Sequence, residues 1–85
     1  MIEFSYTVKD PVGIHARPAG MLAKRAKEFS SEILLFKGEK CANATRLMAV
    51  MGLCIKGGDR VRVTVEGNDE ARAAEAMERF FRETL

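Results

Sequence analysis

The stretch Arg60-Val61-Arg62-Val63-Thr64-Val65-Glu66 alternates without a break, valines on one side and charged or hydroxyl-bearing residues on the other. Side chains of an extended strand point to opposite faces with a period of two, so this segment reads as a strand with one face buried and one face wet. Gly67-Asn68 closes it. A sheet with one face in water is antiparallel, because parallel strands are covered by helices on both sides. The fold then depends on what lies around this strand.

Ile2, Phe4, Tyr6 and Val8 alternate with Glu3, Ser5, Thr7 and Lys9 as a second strand of the same kind, stopped by Asp10, Pro11 and Gly13. The short apolar run Ile33-Leu34-Leu35-Phe36, the turn Lys37-Gly38-Glu39-Lys40 and a return strand from Lys40 to Ala42 make a hairpin. From Arg17 onward, Ala19, Leu22, Ala23, Ala26 and Phe29 recur at helical spacing, with Pro18 tolerated only in the first turn. Asn43 to Ile55 has helical spacing too, ended by Gly57-Gly58-Asp59. After Gly67, Asn68 is the expected N-cap of a third helix, with Asp69 and Glu70 at its electropositive start and Ala73, Ala74, Met77, Phe80 and Phe81 inward. The order β-α-β-β-α-β-α predicts one α+β domain over residues 1–85, a four-stranded antiparallel sheet with three helices on one face.

Composition narrows the function classes. The 85 residues carry 14 Lys and Arg against 12 Asp and Glu, a formal net charge of +2, without the basic stripe of a dedicated nucleic-acid binder. The inner strands also lack the basic-aromatic signature of small RNA-binding sheets. Cys41 and Cys54 fit no C-x-x-C spacing and there is one histidine, so no metal site and no cofactor are expected; both thiols read as reduced, in a cytoplasmic protein. The N-terminal MIEFSYTVKD is no signal peptide, and no apolar run approaches the roughly 18 residues of a spanning helix.

Gly13-Ile14-His15-Ala16-Arg17-Pro18-Ala19 places the single histidine between a strand-ending loop and a helix start. Backbone N–H groups of a helix's first turn lack partners and face the positive end of the macrodipole, so an anion beside His15 meets free donors. Ala16 and Arg17 would supply them, Ala19 being a further candidate, since Pro18 has no N–H. Arg17 adds a planar cationic fork, and Gly13 frees the backbone. Together these suit a transient phosphohistidine, because histidine side chains ordinarily keep an uncharged ring nitrogen at neutral pH. One charge pair about 4 Å apart at an effective dielectric of about 20 is worth roughly 4 kcal/mol before screening, enough to steady a phosphoryl group without trapping it. Spacing alone leaves open that His15 caps the helix or is merely solvated, and Arg17 with it.

Leu47, Met48, Met51 and Leu53 offer more apolar surface than one short helix turns toward a thin core. Adaptable methionines suit a docking patch, although a purely core role fits the spacing as well.

The histidine loop, Asn43-Ala44 followed by Leu47-Met48-Ala49-Val50-Met51, and Lys56-Gly57-Gly58-Asp59 together resemble the HPr family, the histidine-containing phosphocarriers of the phosphoenolpyruvate:sugar phosphotransferase system. The resemblance spans the chain and implies an open-faced β-sandwich of order βαββαβα. It further implies that phosphorylated enzyme I passes a phosphoryl group to Nδ1 of His15, whence it moves to the A domain of a sugar-specific enzyme II, with Arg17 as stabiliser and Leu47, Met48 and Met51 docking both partners. A monomeric carrier without small-molecule turnover, nucleic acid or membrane insertion follows. The alternative is a regulatory docking module of the same fold, with His15 phosphorylation as a switch.

One departure stands out. Many relatives carry a serine just before Leu47, phosphorylated by a kinase to regulate transfer, and this chain has Arg46. Arginine accepts no phosphoryl group, so Arg46 is expected instead to contact an acidic partner, and Thr45 to cap the short helix. Ala49 and Cys54 replace the glycines more usual there, with small packing consequences expected.

Overall fold

The computed structural model describes residues 1–85. Strands β1 (Ile2–Thr7), β2 (Glu32–Lys37), β3 (Lys40–Asn43) and β4 (Arg60–Glu66) form one antiparallel sheet of order β1-β4-β2-β3, with helices α1 (Ala16–Ala26), α2 (Leu47–Gly52) and α3 (Glu70–Thr84). The last strand thus inserts between the first two, and β4 covers the residues predicted for it.

The alternation read from the sequence becomes rows across the sheet. Phe4, Val63, Leu35 and Ala42 lie side by side across all four strands, as do Ser5, Arg62, Phe36 and Cys41 on the neighbouring row. The first row turns toward the helices, where Val61, Val63, Val65, Ile33 and Leu35 are fully buried. The second faces out, and there the Arg62 guanidinium lies 4.3 Å from the Phe36 ring centre and Arg62 pairs with Glu3 at 3.4 Å. Cys41 and Cys54 are free and exposed.

Helix α3 is anchored by Phe81, which meets Phe4, Tyr6 and Phe80 edge-on with ring centres 6.0, 5.7 and 6.2 Å apart. Helix α1 buries Pro18, Ala19, Leu22, Ala23 and Ala26, and its last-turn Lys24 and Arg25 complement the macrodipole. It stops at Ala26, short of Phe29, as Glu28 and Phe29 tighten into bonds to Arg25 and Ala26.

Three local expectations need correction. Helix α2 covers only Leu47–Gly52, so neither Asn43 to Arg46 nor Leu53 to Ile55 is helical: Asn43 ends β3, and its Oδ1 accepts from the Thr45 backbone N–H at 2.9 Å and hydroxyl at 2.7 Å. Thr45 is spent on that turn and caps nothing, and Arg46 takes the N-cap position of α2. The short polar side chain of Asn43 offers the backbone a turn that hydrophobic spacing does not register. Of the apolar set, Leu53 takes the core role that the spacing left open and is buried. At α3 the N-cap residue is Asp69 rather than Asn68, and its carboxylate accepts instead from the backbone N–H groups of Ser30 and Ser31, both at 3.0 Å, and from the Ser31 hydroxyl.

Candidate functional site

The segment from Asp10 to Ile14 is built as a rigid step. Asp10 accepts twice, through Oδ1 from the Val12 N–H at 2.9 Å and through its carbonyl from the Gly13 N–H at 3.0 Å. Gly13 has φ +76°, and Ile14, buried, donates its N–H to the Ile55 carbonyl at 3.0 Å. From below, the main-chain oxygen of Leu85 accepts from the N–H groups of Lys9 and Asp10 at 2.7 and 2.8 Å, bringing the end of α3 under the loop.

His15 follows as the N-cap residue of α1, with extended backbone (φ −96°, ψ −171°). Its side chain makes no capping hydrogen bond and is exposed, so the capping role left open by the spacing is not filled. Its carbonyl accepts from the Ala19 N–H at 3.0 Å, which removes Ala19 from the available donors. The N–H groups of Ala16 and Arg17 have no backbone acceptor, and the exposed Arg17 enters none of the fold's ion pairs. An imidazole, a guanidinium and two free amides thus gather at one helix mouth, an arrangement fit for a phosphoryl group.

Beside them lies a shallow cleft of about 390 Å³ lined by Asp10, His15, Arg17, Pro18, Met21, Glu83 and Thr84. Nothing in the local sequence marks Glu83 or Thr84 for this cleft. They reach the site only because α3 crosses the sheet and returns to the β1–α1 loop, and no local pattern encodes that.

Helix α2 packs alongside α1 and leaves much of its apolar surface uncovered. Met48 is 75% exposed and Leu47 38%, Met51 is half-buried, and Arg46 is exposed. Val12 and Met21, on the loop and helix that flank His15, add further exposed apolar surface.

The backbone at Cys54 has a feature that the packing expectation does not address. Its φ of +54° makes it the one non-glycine residue in the left-handed region. Its carbonyl accepts from Lys37 Nζ at 2.8 Å, and the same ammonium pairs with Asp59 at 3.0 Å. Asp59 in turn accepts from the Lys56 N–H at 2.9 Å, and these bonds hold its carboxyl below the usual range.

Fold and site together define a small open-faced sandwich with one solvent-facing histidine at a helix start. Residues 2–83 match the family model described as "PTS HPr component phosphorylation site". The phosphocarrier protein HPr of Lysinibacillus sphaericus is 47% identical over 72 residues, 85% of this chain and 82% of that one. The HPr-like protein Crh of Halalkalibacterium halodurans is 40% identical over 80 residues, 94% of this chain and 95% of that one. A solved histidine-containing phosphocarrier protein of Mycoplasma superposes with a TM-score of 0.94 at 40% identity, covering 98% of this chain and 94% of its own. The chain belongs to the HPr family of phosphotransferase-system phosphocarriers. No helix is long and apolar enough to cross a membrane.

Proposed function

We propose that this chain, acting as one domain over residues 1–85, accepts a phosphoryl group on Nδ1 of His15 from phosphorylated enzyme I and passes it to the A domain of a sugar-specific enzyme II. The observation that carries the reading is the free His15 side chain at the start of α1, beside an Arg17 that pairs with no carboxylate.

The chemistry asks little of the carrier. The lone pair of a neutral ring nitrogen forms the new N–P bond while the donor nitrogen recovers the electron pair of the bond that breaks. The other ring nitrogen of His15 keeps its proton throughout. The Arg17 guanidinium and the N–H groups of Ala16 and Arg17 take up the charge on the phosphoryl oxygens, so transfer needs alignment and charge stabilisation and no metal from this chain.

Leu47, Met48 and Met51, with Arg46 at their edge, form the docking surface for enzyme I and the enzyme II domain in turn. Methionines repack at little cost, which lets one surface serve two partners. On this reading the carrier acts as a monomer in the cytoplasm. The regulatory docking alternative would use the same surface, and the Crh-named relative keeps it in view. The unspent imidazole and guanidinium favour chemistry at His15 over bare docking.

The test is a reconstituted relay of phosphoenolpyruvate, enzyme I, this chain and an enzyme II A domain. Phosphorylation of the A domain that depends on this chain supports the relay; a chain that accepts phosphate but never releases it to any A domain would favour the switch.

A further inference from the structure

The cleft beside His15 carries two carboxylates, Asp10 and Glu83, against the single guanidinium of Arg17. Asp10 has an evident structural task, since its Oδ1 holds the Val12 N–H. Glu83 has none. It is exposed, makes no side-chain hydrogen bond and enters none of the ion pairs of the fold. It also sits in the last turn of α3, where the macrodipole is negative and disfavours a carboxylate, while its neighbour Arg82 complements the same end. A charge that is unpaired, unfavourable for its own helix and set in the wall of the candidate phosphoryl site calls for a role at that site.

We infer that Glu83 is a positioning residue that weakens the hold of the site on its phosphoryl group by charge repulsion, tuning the phosphohistidine for release. The inference deepens the carrier reading and rests on it. Phosphorylation of His15 brings about two negative charges into a cleft whose formal charge is already −1, counting Arg17 against Asp10 and Glu83. Arg17 and the helix amides attract the incoming group and Glu83 opposes them. A pocket evolved only to bind phosphate would lack such a group; a carrier, which must release to its acceptor what it takes from its donor, needs the balance. The repulsion acts on the ground state of the phosphorylated protein and is relieved as the group departs.

The experiment compares wild type, Glu83→Gln and Glu83→Asp. With enzyme I in catalytic amount and a fixed ratio of phosphoenolpyruvate to pyruvate, the ratio of phosphorylated to free chain is read by intact mass. Glu83→Gln is expected to raise that ratio about three- to tenfold, the size of a solvent-screened charge interaction at short range, and Glu83→Asp to stay near wild type. A second arm phosphorylates the chain chemically with phosphoramidate and follows loss of the phosphohistidine by 31P NMR, with a longer half-life expected for Glu83→Gln. If enzyme I fails to phosphorylate the wild type, the carrier reading fails, and the chemical arm still tests Glu83. Unchanged or lower ratio and half-life in Glu83→Gln would overturn the inference, as would Glu83→Asp behaving like Glu83→Gln. A purely structural role would move melting temperature alone.

Discussion

The N–H of Ile14 donates to the carbonyl of Ile55 at 3.0 Å, and a β-carbon on the adjacent Gly13 would stand 2.1 Å from that same oxygen. The histidine loop is therefore pressed against the segment entering β4, and only a residue without a side chain permits the approach. With φ +76° as well, Gly13 meets two independent demands.

Gly13→Ala is expected to destabilise the fold by more than about 1 kcal/mol, since the conformation is unfavourable and the contact is with backbone. The melting temperature should fall by about 4–8 °C for each kcal/mol lost. The same change should displace His15 and slow its phosphorylation. A variant that melts like wild type would show that the loop relaxes freely.

Cys54 provides the opposite case. A side chain at φ +54° costs about 1–2 kcal/mol, partly offset by the entropy that a glycine would lose on folding. Cys54→Gly should therefore stabilise the protein by about 0.5–1 kcal/mol, read by urea denaturation. A lower midpoint would mean that the thiol makes a compensating contact.

Asp69 ties the loop between α1 and β2 to the start of α3 through Ser30 and Ser31. The Ser31 hydroxyl first, then the Ser30 and Ser31 N–H groups, lower its pKa from 3.8 to about 2. A carboxyl depressed in the folded state adds stability that is complete above its unfolded pKa, near 3.8, and lost as the pH falls through about 2. Thermal melts across that window should fall more steeply for wild type than for Asp69→Asn. Parallel curves would contradict the assignment.

Arg46 is exposed at the N-cap of α2, on the edge of the proposed docking surface. Arg46→Ser should weaken binding to the cognate enzyme I or enzyme II by about two- to fivefold at low salt, as a rim charge pair is worth at most about 1 kcal/mol. Equal affinity at low salt would sink the proposed contact.

Much of this architecture is legible in the residues, for reasons that differ by element. Strand β4 is legible because helices bury its valine face while Arg60, Arg62 and Glu66 on the other stay exposed, so that period-two alternation survives everywhere except at Thr64, which is buried. The histidine loop is legible because Gly13 frees the backbone for a turn and Pro18 fits only the first turn of a helix, which together set His15 at the helix start. The segment before α2 is misread as helix because one Asn43 carboxamide redirects the chain, and hydrophobic spacing carries no trace of that. Asn68 and Asp69 are both good caps in isolation, and only the arrival of Ser30 and Ser31 decides what Asp69 does. Glu83 is invisible to local reading, since its place beside His15 depends on the return of α3 across the sheet.

The most direct measurement is intact mass after incubation with phosphoenolpyruvate and purified enzyme I, with His15→Ala in parallel and an acid quench. One acid-labile phosphoryl group, absent from His15→Ala, is the predicted result. An unmodified wild type with several active enzymes I, or a group that survives in His15→Ala, would contradict the account.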